Sequence, residues 1–171
     1  MKKNILYLFI LTFISSTWKV SAQCELPQPY IGNTGSNMTV FFTSSAINSL
    51  SITSNLPYIV AISPSGLIVG SASIASSDLI GGQQSLAVWG DDTATPEIDG
   101  AIAGEALIYQ LVDGNSLYDL ELSFAGVNSF VANGQLPVIS AIASLNCIDE
   151  TIVSNCDQWF SHTQILSSDA N

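Results

Sequence analysis

The sequence contains no arginine, and its three lysines, Lys2, Lys3 and Lys19, all stand at the front. Histidine appears once, at His162, and cysteine three times in 171 residues. Each shortage excludes a class of function. Nucleic acids, anionic lipids and heparin-like polymers are held by lysine and arginine that displace counterions, and beyond Lys19 there are none. Kinases, nucleotide binders and many dehydrogenases clamp phosphate or carboxylate with the same side chains. His162 lies far along the chain from any nucleophile that can be placed beside it, so Ser-His-Asp and Cys-His catalysis have little support. There is no nucleophile elbow either; Ser65 in Pro64-Ser65-Gly66 reads as a turn residue. Three cysteines at these spacings with one histidine do not make a zinc site. Beyond residue 22 no run is long and apolar enough to span a membrane.

The front of the chain has the layout of an export signal. Lys2 and Lys3 form a short positive region, Ile5 to Ile14 is almost uninterrupted apolar sequence, and Val20-Ser21-Ala22 supplies the small residues a signal peptidase needs. The apolar stretch is about half the ~20 residues of a membrane span. Residues 1–22 are therefore expected to be removed, leaving Gln23 as the new N-terminus. All 14 Asp and Glu lie beyond that point. The mature chain is then a polyanion, expected to be secreted or at the cell surface, with no membrane insertion after cleavage.

The whole sequence is rich in apolar residues, 47%, and poor in charged ones, 10%. That is enough to bury a core and too hydrophobic for disorder. Runs of β-branched and aromatic residues recur between turn residues. Asn37 to Thr43 sets Met38, Val40 and Phe42 on one face; Ser44 to Leu50 reads as one helical turn or a loop. Tyr58 to Ser63 and Leu67 to Ile74 flank Pro64-Ser65-Gly66, a compact hairpin turn. Ser85 to Trp89 is almost wholly apolar, as a central strand would be. Glu105 to Val112 and Ser116 to Phe124 flank Asp113-Gly114-Asn115, the strongest hairpin signal in the chain. Phe130 to Ala132 and Leu136 to Leu145 complete the pattern around Asn133-Gly134. No segment sustains a 3.6-residue period, so the class is all-β: an antiparallel β-sandwich, Ig-like or jelly-roll-like, of about seven to eight strands. The domain is expected over residues 23–147, with 148–171 as a tail, a linker or the start of a further segment.

An odd number of cysteines in an oxidising compartment leaves one over. Cys24 precedes the first expected strand and Cys147 follows the last, so a Cys24–Cys147 bridge would close nearly the whole domain. The rival pairing, Cys147–Cys156, would make a small loop in the tail. The first is favoured because the termini of sandwich domains often lie close together.

The densest chemistry falls between Trp89 and the strand expected from Glu105, in GDDTATPEIDGAIAGE. Asp91, Asp92, Glu97, Asp99 and Glu105 repel one another there with no cation among them. Calcium would remove that repulsion by taking oxygens from these five residues, and Gly90 and Gly100 would let the loop turn tightly around it. The spacing is not that of an EF-hand. The plainer reading is a solvated acidic turn, with Thr95 capping a helix that starts at Pro96 and carries its acids in the first turn. A third reading pairs Asp92 with Glu97 or Asp99 as the acid and base of a glycoside hydrolase. It lacks an aromatic-lined cleft, because alternation assigns Trp89, Tyr109 and Tyr118 largely to strands.

From GLIVGSASI through SLAVWGDD, TPEIDG, GE and IYQLVDG the chain resembles a module of large secreted and surface proteins of marine Bacteroidetes-type bacteria. In that module an apolar G-x-x-V-G hairpin precedes a W/F-G-D-D…T-P-E-x-D-G…G-E block. The match covers roughly Asn33 to Cys147. The resemblance implies a non-catalytic β-sandwich building block of surface or adhesion proteins, often exported by the type IX route. Type IX cargo carries a C-terminal sorting domain of considerable length, whereas the sequence after Cys147 is a short tail.

The leading expectation is a secreted, non-catalytic structural or adhesive module, stabilised by calcium if the acidic loop binds it. Its partners would be other surface proteins or polysaccharide. The alternative is a carbohydrate-binding module in which Trp89, Trp159 or the tyrosines stack on a sugar ring.

Overall fold

The computed structural model describes residues 24–149. The expected signal peptide, Cys156, Trp159 and His162 lie outside the described residues. The fold is all-β: β1 (Asn37–Phe42), β2 (Tyr58–Ile62), β3 (Ile68–Ser73), β4 (Gln84–Trp89), β5 (Ile108–Asp113), β6 (Ser116–Phe124) and β7 (Gln135–Ile148), with one short helix, α1 (Ser44–Asn48). The strands form one sheet in the order β3-β2-β5-β6-β7-β1-β4. Every pairing is antiparallel except β1 with β7, which run parallel.

Alternation builds the core from residues the sequence marks. Met38, Val40 and Phe42 of β1 are all buried, as are Leu86 and Val88 of β4 and Leu136 and Val138 of β7. From β5, Tyr109 and Leu111 join the same core, and the Tyr109 ring packs on Phe124 of β6 with centroids 5.8 Å apart. Desolvation there pushes the Tyr109 phenol far above its ordinary value, so it stays neutral. The polar faces of β1 and β4 carry Asn37, Thr39 and Ser85.

The sheet curls until its two end strands meet. A Cβ on Gly70 of β3 would stand 2.2 Å from the carbonyl oxygen of Ala87 on β4, so only glycine allows this approach. The Gln84 side-chain amide of β4 donates to the carbonyl of Ser73 on β3, fastening the same seam. The result is a nearly closed, sandwich-like barrel. Closure explains why β4, expected as a central strand from its apolar run, is an end strand of the order yet has Leu86 and Val88 at 0% exposure.

Of the two readings of Ser44 to Leu50 the structure takes the helical turn: Ser44–Asn48 is helical, because the Thr43 side chain accepts from the N–H of Ala46 as an N-cap and Ala46 and Ile47 are buried. Two other segments differ from expectation. Phe130 to Ala132 is not a strand: Phe130 is buried, but its N–H donates to Glu105 O at 2.8 Å and its carbonyl accepts from Gly104 at 2.9 Å, an isolated clasp between two loops. β5 begins at Ile108 rather than Glu105, since Gly104 and Glu105 belong to that clasp.

Cys24 is bonded to Cys147 across a Cα–Cα distance of 5.6 Å, as favoured. The bridge sits in a small second core with Val112 and Leu117, where Leu26 and Tyr58 pack, and the Tyr58 hydroxyl donates to Pro27 O. It ties the segment before β1 to the end of β7.

Candidate functional site

The acidic loop runs from the end of β4 to the start of β5, and its base is held by main chain. Ala101 N donates to Trp89 O at 2.9 Å and Asp91 N to Ala101 O at 3.0 Å, while Gly90 N reaches Ser36 O at 2.9 Å. The Thr34 hydroxyl donates to Gly90 O. At this waist a Cβ on Gly100 would fall 2.2 Å from the carbonyl carbon and oxygen of Gly90, so the two limbs close only because Gly100 has no side chain.

Within the loop the carboxylates serve the loop's own backbone. Asp91 Oδ1 accepts from the N–H of Asp99 at 3.1 Å, and Asp99 Oδ1 accepts from the N–H of Asp92 at 3.1 Å, a reciprocal clasp across the loop. Asp92 Oδ1 accepts from Ala94 N at 2.9 Å, and Glu105 Oε2 from Ile102 N at 3.0 Å. Each bond satisfies a backbone donor that no strand partner reaches. Tyr30 lies close enough for its phenol to be pushed up by burial and, secondarily, by the negative charge of Asp99. The structure thus brings Asp91, Asp92 and Asp99 together, while Glu97 is exposed and Glu105 caps a separate turn. Among the described residues no group of three or more His, Cys, Asp or Glu side chains is placed to hold a metal ion.

The helix expected from Thr95-Pro96-Glu97 does not form; residues 93–97 are turns and bends. The Thr95 hydroxyl donates to the carbonyls of Asp92 and Glu97 instead of accepting from a helical N–H, which closes a turn where a cap was expected.

Two concavities lie elsewhere. An open cleft of about 550 Å³ is lined by α1 and the loops after α1 and β3, including Ile47, Leu50, Ser54, Ile74, Ser77 and Leu79. A shallower one of about 360 Å³ lies on the outer face of β4, β1 and β7, between Thr39, Phe41, Ser85, Gln135 and Pro137. No carboxylate lines either one. Trp89, half-buried, shares the outer face by alternation, at the end where β4 pairs with Asn37.

Asp113 is the residue sequence reasoning under-read. It was legible as the start of a hairpin turn, but the structure buries it to 3% exposure beside that turn. Oδ2 accepts from the backbone N–H and the hydroxyl of Thr53, and Oδ1 from the N–H of Ser54, all at 2.7 Å. Burial pushes the carboxyl up, but the hydrogen bonds from Ser54 and Thr53 outweigh it and hold Asp113 below the usual carboxylate range. This one side chain pins the loop after α1 to the β5–β6 hairpin. An unfolded aspartate titrates near 3.9, so with a lower folded value the contribution is present above about pH 4 and is lost as pH falls through the folded value. Asp113→Ala is expected to cost about 1 to 3 kcal/mol in urea unfolding at neutral pH, because three hydrogen bonds to a charged acceptor are lost and the part-buried N–H groups of Thr53 and Ser54 lose their partner. The gap between variant and wild type should narrow below about pH 4.

Compared with models of known families, with curated proteins and with solved structures, the chain matches none.

Proposed function

We propose that this chain is a secreted, non-catalytic structural or adhesive module of a cell-surface or extracellular protein, as the resemblance in its WGDD…TPEIDG…GE passage implies. The observation that carries the reading is the acidic loop. Its carboxylates, the only dense chemistry in the sequence, hold backbone N–H groups of their own loop, and the two concavities contain no acid, histidine or cysteine. A disulfide that closes the domain and a sheet that meets itself at Gly70 and Ala87 suit a part selected for persistence.

The alternative, a carbohydrate-binding module, draws on the outer face, where Trp89, Phe41, Asn37 and Gln135 stand on adjacent strands without a charge among them. A glycan array with the secreted chain separates the two. The structural reading expects no saccharide signal; binding that disappears in Trp89→Ala would replace it with the alternative.

Calcium has the weaker support, because Asp91, Asp92, Asp99 and Glu105 already accept from backbone donors. Melting curves with calcium and with chelator are expected to coincide. A midpoint raised by calcium and returned to the chelated value by Asp91→Asn/Asp99→Asn would put the ion back in the loop, since a ligand bound only by the folded state stabilises it by mass action.

A further inference from the structure

β7 is 14 residues long, but β1 covers only its first part, from Gln135 to Val138. Thr43 and Ser49 continue the cover by side-chain hydrogen bonds to Val138 and Ala141. From Ile142 to Ile148 the strand is paired with β6 on one side, and among the described residues no strand or backbone hydrogen bond covers the other. These same seven residues carry Ile142, Leu145 and Ile148, exposed to 62%, 55% and 46%. Unpaired strand edges recruit further strands unless lysine, proline, an inward charge or a bulge guards them. Here there is no proline or charged residue from Ile142 to Ile148, and no lysine beyond Lys19; the one guard present is the extra residue at Asn146.

We propose that this edge pairs with the same edge of a second copy of the chain, antiparallel about a two-fold axis at Leu145. The sequence of the edge is self-complementary about that residue. An axis there sets Ile142 opposite the partner's Ile148, Ala143 opposite its Cys147, and Ser144 opposite its Asn146, with Leu145 meeting its own copy. An isologous contact needs such a match, because each position meets its own mirror in sequence. Charge decides which partner fits. The chain is strongly acidic, yet the strand is neutral; Asp149, the next residue along it, would fall opposite the partner's Ala141, eight residues or about 27 Å from its own copy, and Asp119 and Glu121 lie one strand back on β6. Across the paired edges the two β6 strands would be three strand spacings apart, about 14 Å, beyond a screening length of about 8 Å at physiological salt.

The irregularity in the β6 pairing leaves Asn146 as an extra residue, with its amide tied to Asp119. A bulge increases local twist, which limits the pairing to a short stretch. The contact is then smaller than the roughly 1,200 Å² of stable complexes, and association should be weak and concentration-dependent.

Sedimentation velocity across a wide dilution series tests this, on the chain beginning at Gln23 with Cys156→Ser so that the third cysteine cannot link copies. The parent and Ile80→Lys, which adds the same charge on the exposed β3–β4 connection, are expected to shift from monomer to dimer as concentration rises. Leu145→Lys and Ile142→Lys, both at exposed positions, should stay monomeric at every concentration with unchanged strand circular dichroism and melting midpoint. A parent that is monomeric throughout, or a dimer unaffected by either edge lysine, overturns the proposal. So does a parent that dimerises only after residues 151–171 are removed, which would assign the edge to the chain's own tail.

Discussion

Replacing Cys24 and Cys147 together by alanine should lower the stability of the fold by about 5 kcal/mol, the largest effect expected from any change to two side chains here. The bridge spans 123 positions of sequence, and in the chain-entropy account a closed loop of that length removes about that much freedom from the unfolded ensemble. Its native-state share is smaller: Cys24 and Cys147 complete the second core with Val112, Leu117 and Leu26, and two alanines leave part of that space unfilled. For a domain of this size the loss corresponds to roughly 15 to 20 °C in melting midpoint, read by circular dichroism without reductant. A midpoint within a few degrees of the parent would show that the closed barrel holds its ends without the bridge.

Gly70→Ala should come next, at about 3 kcal/mol or more. The added methyl would meet the Ala87 carbonyl oxygen at 2.2 Å and Leu86 Cδ2 at 3.2 Å, and the first of these is backbone that cannot rotate away. Relief requires β3 and β4 to separate, which opens the core over Val69, Leu86 and Val88, all at 0% exposure. Overpacking a dense core commonly costs 1 to 3 kcal/mol, and a clash with main chain at a seam belongs at or above that range. Chemical denaturation checks the magnitude, and hydrogen exchange checks the place, since the amides of β3 and β4 should lose protection before those of β5 and β6.

Local chemistry made most of this fold legible. Met38, Val40 and Phe42 fall on one face because a strand alternates, and no distant residue is needed to say so. Pro64-Ser65-Gly66 and Asp113-Gly114-Asn115 fix two hairpins by turn chemistry alone. The disulfide followed from where Cys24 and Cys147 stand relative to the outermost strands. The rest depended on which strands become neighbours. That β4 would end the order, or that β7 would lie parallel to β1, is settled by closure across nearly a hundred residues. The same holds for the acidic loop: the sequence displays five carboxylates but not the backbone donors that face them, because Asp99 N reaches Asp91 only once Gly100 has closed on Gly90. Asp113 was hidden by its own turn signal. An Asp before Gly-Asn is explained as a turn residue without further help, so nothing in the sequence demanded the second role that Thr53 and Ser54 give it.

The bridge between Cys24 and Cys147 also determines how the domain would behave under tension. A pull applied between an attachment at Gln23 and the residues after Cys147 would enter and leave the fold at two points 5.6 Å apart. The load then runs through a covalent link rather than through the hydrogen bonds of the sheet. Without the link, full extension of the 123-residue span would release about 400 Å of chain. With it, the domain is a nearly inextensible joint, so stretching a filament or tether that contains it would leave the barrel folded and hand the strain to its neighbours.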